Sequence, residues 1–175
     1  MTQHVLKVDG AFLLESNEHN DFRGSFAEIW RASDRESIQF VQMNRVRSVG
    51  NVVRGLHVSK FDQYKLVQCV HGSIYDVVVD CRKNSRTFGV WDARKLSGLR
   101  NRTMLIPPGC AHGFYSYDDS VVVYLSSKYY DASDELTLAW DDASVGIDWV
   151  NWKDPLMSPK DITGKSLYEI SEALA

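Results

Sequence analysis

Arg54, His57 and Lys65 fall close together in a stretch that otherwise reads as strand. The stretch runs Asn51-Val52-Val53-Arg54-Gly55-Leu56-His57, then Gln63-Tyr64-Lys65-Leu66-Val67, then Gly72-Ser73-Ile74-Tyr75-Asp76-Val77-Val78-Val79-Asp80. Val, Ile and Tyr are dense, and Gly55 and Gly72 punctuate the runs. Ionisable groups inside sheets are costly unless paired or used. Three cation-forming side chains so close together predict a pocket for an anionic ligand. Asp76 and Asp80, on one face of a strand, are read as structural.

The elements that must position these groups are short strands. Beyond one or two edge strands in residues 5–15, strands are predicted at Ser25–Trp30, Gln39–Val46, Val52–Val58, Tyr64–Val70, Ser73–Cys81, Thr87–Leu96, Met104–Ile106, Ala111–Tyr117 and Val121–Ser127. Gly, Asn, Asp and Ser clusters separate them. Regular spacing without helical periods predicts an all-β sandwich or barrel. Asn20 to Gly24 reads as a turn exposing Arg23, and Ser33 as the N-cap of a short helical turn at Ser33–Glu36. The Trp140–Pro155 region, with Trp140, Trp149 and Trp152, is expected to wrap the barrel as irregular structure. Leu167, Ile170 and Leu174 lie at helical spacing and predict a C-terminal helix. Arg54 and His57 are three apart, so an ideal strand would send them to opposite faces. Either Gly55 allows a bulge or the strand has ended at one of them.

Composition narrows the function. The 175 residues suit one domain, 1–175, and the formal charge of −3 argues against a general nucleic-acid binder. No apolar run reaches membrane-spanning length, and no secretory leader is read at the N-terminus. Cys69, Cys81 and Cys110 lack metal spacing and read as buried free thiols of a cytoplasmic protein.

Pro107-x-Gly109-x-x-His112, leading into a strand, resembles the second cupin motif and implies a double-sheet jelly roll with short peripheral helices. The first metal motif is broken. Val58 and Ser59 follow His57, and Lys65 stands where an acidic ligand is expected, so neither a metal nor a cofactor is expected. A metal-dependent oxygenase is thereby disfavoured.

A longer series carries a more specific resemblance: Asp21-x-Arg23-Gly24-x-Phe26-x-Glu28, Gln42-x-Asn44, Arg54-Gly55-Leu56-His57, Lys65-Leu66-Val67, Asp76-Val77-x-Val79-Asp80-x-Arg82, Ala111-His112-Gly113-Phe114, Tyr124, Tyr129-Tyr130, Trp140-x-Asp142 and Ser158-x-Lys160-Asp161. Over nearly its full length the chain resembles the dTDP-4-dehydrorhamnose 3,5-epimerases. These are metal-free, homodimeric cupins acting on a nucleotide-diphosphate 4-keto-6-deoxyhexose. The resemblance implies His57 as general base with Asp161 as its partner, Tyr124 as general acid, and Lys65 facing the C4 oxygen. It implies Arg23 and Arg54 as diphosphate clamps, with Arg23 supplied by the neighbouring subunit. It further implies that Phe26, Glu28, Gln42, Asn44, His112 and Tyr130 line the nucleotide and sugar path.

That chemistry explains the residue types. A C4 ketone acidifies the hydrogens on C3 and C5. Inversion needs a base on one face, an acid on the other and support for the enolate oxygen. Taken singly, each residue also has a structural reading. His57 could be a satisfied core histidine, Asp161 a helix cap, Tyr124 a core aromatic, and Arg23 and Arg54 surface ion-pair partners. Val58, Ser59 and Cys110 depart from the family pattern and bear on the pocket's shape. The nucleotide could thus be dTDP, GDP or CDP, and C3, C5 or both could be inverted. A 3,4-ketoisomerase and a non-catalytic sugar-binding cupin are the rival readings.

Overall fold

The structure is a computed structural model and describes residues 1–149 and 153–175. Trp152 therefore lies outside the described residues. Alternating apolar residues build two antiparallel sheets. The larger has the order β1 (Thr2–Val5), β2 (Phe12–Glu15), β10 (Arg102–Ile106), β7 (Lys65–His71), β12 (Ser120–Ser126) and β5 (Gln42–Ser48). The smaller has the order β13 (Glu135–Thr137), β6 (Val52–Ser59), β11 (Cys110–Ser116), β8 (Ser73–Asp80) and β9 (Trp91–Ser97). A separate hairpin joins β3 (Glu18–Asp21) to β4 (Gly24–Ala27). The all-β jelly-roll reading holds.

Period-two alternation sorts side chains into layers. Between the sheets lie Val67, Cys69, Ile74, Val78, Met104, Ile106, Phe114 and Val122. On the outer face of the smaller sheet, Val53, Leu56, Val58, Val77 and Val79 pack under Leu138, Trp149, Leu167 and Ile170. Removal of this apolar area from water is the main stabilising term, roughly 25 cal/mol per Å². The helical spacing near the C-terminus becomes α2 (Leu167–Ala173), which places Leu167 and Ile170 in that layer. Ser166 caps it in a reciprocal box with Glu169. All three cysteines are free and buried.

Several boundaries differ from expectation. β2 is paired on both sides, by β1 and β10, so of these first two strands β1 alone is an edge. The strand predicted at Thr87–Leu96 begins at Trp91. Ser85 and Thr87 instead turn back to donate hydroxyl hydrogens to the buried Asp80 carboxylate, each at 2.6 Å. The strand predicted at Ser25–Trp30 runs instead over Gly24–Ala27. The strand predicted at Gln39–Val46 runs instead over Gln42–Ser48, in full register with β12. The helical turn is a 3-10 turn at Ala32–Arg35; Arg31 occupies the N-cap position without a side-chain cap, so Ser33 is not the cap. The described part of Trp140–Pro155 is irregular, held by Trp149 Nε1 donating to the Trp140 carbonyl at 2.8 Å.

Candidate active site

The conflict between Arg54 and His57 is resolved by a bulge. β6 and β11 pair at His57 with His112 and at Arg54 with Phe114, so two residues of β6, Gly55 and Leu56, oppose Gly113 alone. Gly55 has φ +112°, and a Cβ there would lie 2.7 Å from Gly113 Cα and from the His112 carbonyl, so only glycine fits. The extra residue leaves Val53 and Leu56 facing outward and brings Arg54 and His57 to the same cleft.

That cleft, of about 310 Å³, opens between the sheets and is lined by Arg54, His57, Lys65, His112, Tyr124, Tyr130, Glu135, Lys160 and Asp161, among others. A wider hollow of about 700 Å³ elsewhere, lined in part by Asp9, Lys60 and Arg82, contains no histidine. Among the described residues, no group of three His, Cys, Asp or Glu side chains is arranged to hold a metal ion.

His57 Nε2 lies 2.7 Å from Asp161 Oδ1, across 104 positions of sequence. A carboxylate only accepts, so Nε2 carries the hydrogen and Nδ1 is the nitrogen free to take a proton. The side chain of Asp161 is 6% exposed. Burial alone would raise its pKa, but hydrogen bonds from His57, Ser158 and the Gly55 backbone outweigh that and hold the carboxyl below its usual value. It sits in α1 (Pro159–Ile162), whose cap is the Ser158 hydroxyl, accepting from Asp161 N at 3.2 Å. Asp161 is thus not the cap.

Two residues complete this corner without having been singled out from the sequence. Glu135, on the three-residue β13, brings Oε2 to 3.9 Å from His57 Nδ1, and Lys160 Nζ donates to Glu135 Oε1. No alternation marks so short a strand, and Lys160 was visible only as one letter of a motif.

His112 stands directly across from His57 and forms a second imidazole–carboxylate pair, with Nε2 2.8 Å from Asp76 Oδ1. Asp76 is fully buried. Its carboxylate holds the ring of a cleft residue. Asp80, by contrast, binds Arg82, Ser85 and Thr87 away from the cleft and is structural.

Opposite, Lys65 and Tyr124 project from neighbouring strands of the larger sheet. Lys65 Nζ is 3.5 Å from the His57 carbonyl. Desolvation pushes the Lys65 pKa below the ordinary lysine value. Burial, then the charge of Glu135, raises that of Tyr124, so its phenol keeps its proton at neutral pH. Arg54 Nε donates to Ser48 Oγ at 2.9 Å and Nη2 to the Arg47 carbonyl at 3.1 Å, fixing the guanidinium plane at the rim.

The remaining predicted residues lie outside the cleft lining. Gln42 accepts from Tyr130 N at 2.9 Å and donates to Asn44 at 2.8 Å, beside the mouth. Arg23 and Phe26 line a hollow of the hairpin, with Arg23 bound to Asp21 at 2.6 Å and Phe26 68% exposed. Glu28 pairs with Arg31 in another hollow. Within one chain these three do not join His57. The residues that depart from the family pattern do not line the cleft either: Val58 packs in the outer layer, Ser59 bonds Asp134, and Cys110 is in the inner core.

An oriented imidazole, a protonated phenol and an ammonium around one cleft can remove, return and electrostatically support a proton transfer next to a carbonyl. Comparison with known proteins agrees with that chemistry. The profile of the dTDP-4-dehydrorhamnose 3,5-epimerase family matches residues 5–169. The dTDP-4-dehydrorhamnose 3,5-epimerase of Methanothermobacter thermautotrophicus is 38% identical over 170 residues, covering 93% of this chain and 92% of the relative. Among solved structures, the Legionella pneumophila Philadelphia 1 dTDP-6-deoxy-D-glucose-3,5-epimerase, in complex with dTDP-4-keto-L-rhamnose, superposes with TM-score 0.93 at 35% identity, covering 99% of this chain and 96% of that one. A 3'-monoepimerase from Streptomyces bikiniensis, in complex with dTDP-quinovose, gives TM-score 0.88 at 33% identity over 94% of this chain and 87% of that one. The bulged strand, the His57–Asp161 pair and a family match across nearly the whole chain lead to one assignment: this chain belongs to the dTDP-4-dehydrorhamnose 3,5-epimerase family of isomerases.

Proposed function

We propose that residues 1–175 form a single nucleotide-sugar epimerase domain that inverts C3 and C5 of a dTDP-4-keto-6-deoxyhexose without a cofactor. The observation that carries this reading is the 2.7 Å His57–Asp161 pair facing Tyr124 and Lys65 across one cleft. His57 Nδ1 takes the proton from the carbon beside the ketone. Lys65 stabilises the enolate oxygen, and Tyr124 protonates the opposite face. Asp161 holds the ring and stabilises the imidazolium, as a carboxylate does in hydrolase triads. The test is incubation of dTDP-4-keto-6-deoxyhexose with the protein in heavy water, with deuterium read carbon by carbon by NMR. Label at C3 and C5 with inversion is expected; no label at either carbon would overturn the reading. The similarity to a 3'-monoepimerase supports single-carbon inversion as the second reading, which the same spectrum separates.

Lys65 gives the reaction an alkaline limb. Its folded pKa lies below the ordinary lysine value, while that of Tyr124 lies above the ordinary tyrosine value. As pH rises, Lys65 loses its charge first, and kcat/KM should fall at a pH below about 10.4. Lys65→Arg, whose guanidinium stays charged, should move that limb upward. A limb unmoved in an active Lys65→Arg protein would remove Lys65 from this role.

Arg54 serves as a diphosphate clamp. A charge-assisted bond contributes about 1.5–3 kcal/mol, so Arg54→Ala should weaken dTDP binding by about one to two orders of magnitude by calorimetry. Unchanged affinity would exclude the clamp. We further propose a cytoplasmic homodimer in which Arg23, Phe26 and Glu28 reach the partner's cleft. The exposed hairpin, with Phe22 97% exposed at its tip, and the free buried thiols support this. Heterodimers of Arg23→Ala and His57→Ala chains should regain activity that neither homodimer has; demonstrated heterodimers with none would rule out crossing.

A further inference from the structure

Each inversion leaves the site unable to repeat itself. The base has gained a proton and the acid has lost one. With Nε2 committed to Asp161, the gained proton resides on His57 Nδ1, while Tyr124 is left as a phenolate. Before the next carbon or the next molecule reacts, Nδ1 must lose a proton and the phenolate oxygen must gain one.

Glu135 lies beside the nitrogen that must lose its proton. Its Oε2 is 3.9 Å from His57 Nδ1, and it lines the cleft into which Tyr124 projects. All three line the same cleft. Backbone pairing fixes this placement: β13 lies against β6 with Thr137 opposite His57 and Glu135 opposite Ser59. Lys160 occupies Oε1, which leaves Oε2 turned to the imidazole. Resting on the epimerase reading above, we infer that Glu135 is a proton relay that resets the site, taking the proton from His57 Nδ1 and delivering it to the Tyr124 phenolate.

The step balances. The N–H bond at Nδ1 breaks as an O–H bond forms on Glu135. That O–H bond then breaks as the phenol O–H forms, which restores neutral imidazole, carboxylate and phenol with no net proton taken up. At 3.9 Å the first transfer runs through one bridging water, and exchange of that water with the bulk lets deuterium reach the phenol and so both carbons. Overall it runs downhill, since an imidazolium is a stronger acid than a phenol.

The test compares first turnover with steady state in Glu135→Gln, using the full chain and dTDP-4-keto-6-deoxyhexose. With enzyme in excess, the first inversion should be slowed by less than about threefold, whereas steady-state turnover should fall about 10²-fold, the lower end of what a positioned proton-transfer group contributes. Singly inverted sugar should therefore appear as a burst of one equivalent per site, absent from the parent protein. Added formate, but not chloride, should restore part of the steady-state rate. Equal slowing of both phases without formate rescue would show that Glu135 only binds or positions, and would overturn the relay. If Glu135→Gln does not fold, Glu135→Asp carries the same comparison, with a burst expected and equal slowing overturning the relay. A parent protein that inverts neither carbon would instead fail the substrate assignment, which the heavy-water spectrum reads separately.

Discussion

His57→Ala should lower kcat/KM by about 10²–10⁴-fold and abolish deuterium exchange at C3 and C5 together. The expectation follows from the geometry around one ring. Asp161 accepts from Nε2 at 2.7 Å, so Nδ1 is the only ring nitrogen that can take a proton. His57 itself is 27% exposed at the side chain while Asp161 is 6% exposed, so the reactive edge faces the cleft and the orienting edge faces protein. Alanine also strips the buried carboxylate of a main partner. Asp161 keeps its hydrogen bonds from Ser158 and the Gly55 backbone, so the fold should survive. Circular dichroism and retained dTDP binding would establish that before activity is interpreted. A folded, dTDP-binding His57→Ala protein that still exchanges either carbon at the parental rate would mean that another group is the base.

The fold was legible because alternation is a local signal. Val77 and Val79 face one layer and Val78 the other, as their spacing requires. The site was legible only in part. Period two cannot say that Arg54 and His57, three apart, share a cleft; the bulge at Gly55 depends on the close approach of Gly113 from another strand. Asp161 lies 104 positions from His57, and only the resemblance linked them; its local sequence reads equally well as a helix start. Glu135 was invisible because three residues carry no periodicity. Thr87 illustrates the opposite error: a β-branched residue beside apolar neighbours reads as strand, but its hydroxyl satisfies buried Asp80 instead. Arg23, Phe26 and Glu28 have local sequence as informative as any, yet one chain leaves them on an exposed hairpin and beside it.

Tyr124→Phe should uncouple exchange from inversion. The substitution keeps the ring, whose edge packs against the inner core, and deletes only the hydroxyl. His57 and Asp161 are untouched, so the base can still take a proton from carbon, exchange it with heavy water and return it to the same face. Deuterium should therefore enter C3 or C5 while inverted sugar forms at least about 10²-fold more slowly than in the parent. The raised pKa of Tyr124 makes the phenol a poor acid in isolation. On the proposed mechanism its value lies in position: the proton goes to a face that His57 cannot reach, and to an enolate whose charge Lys65 spreads. The relay through Glu135 adds a further consequence. Without a phenolate to refill, the proton on His57 has no destination inside the cleft and must leave to solvent or return to carbon, which favours wash-in over turnover. Two results would show that the acid has been wrongly assigned: normal inversion in Tyr124→Phe, or loss of exchange as complete as in His57→Ala from a protein that still folds and binds dTDP.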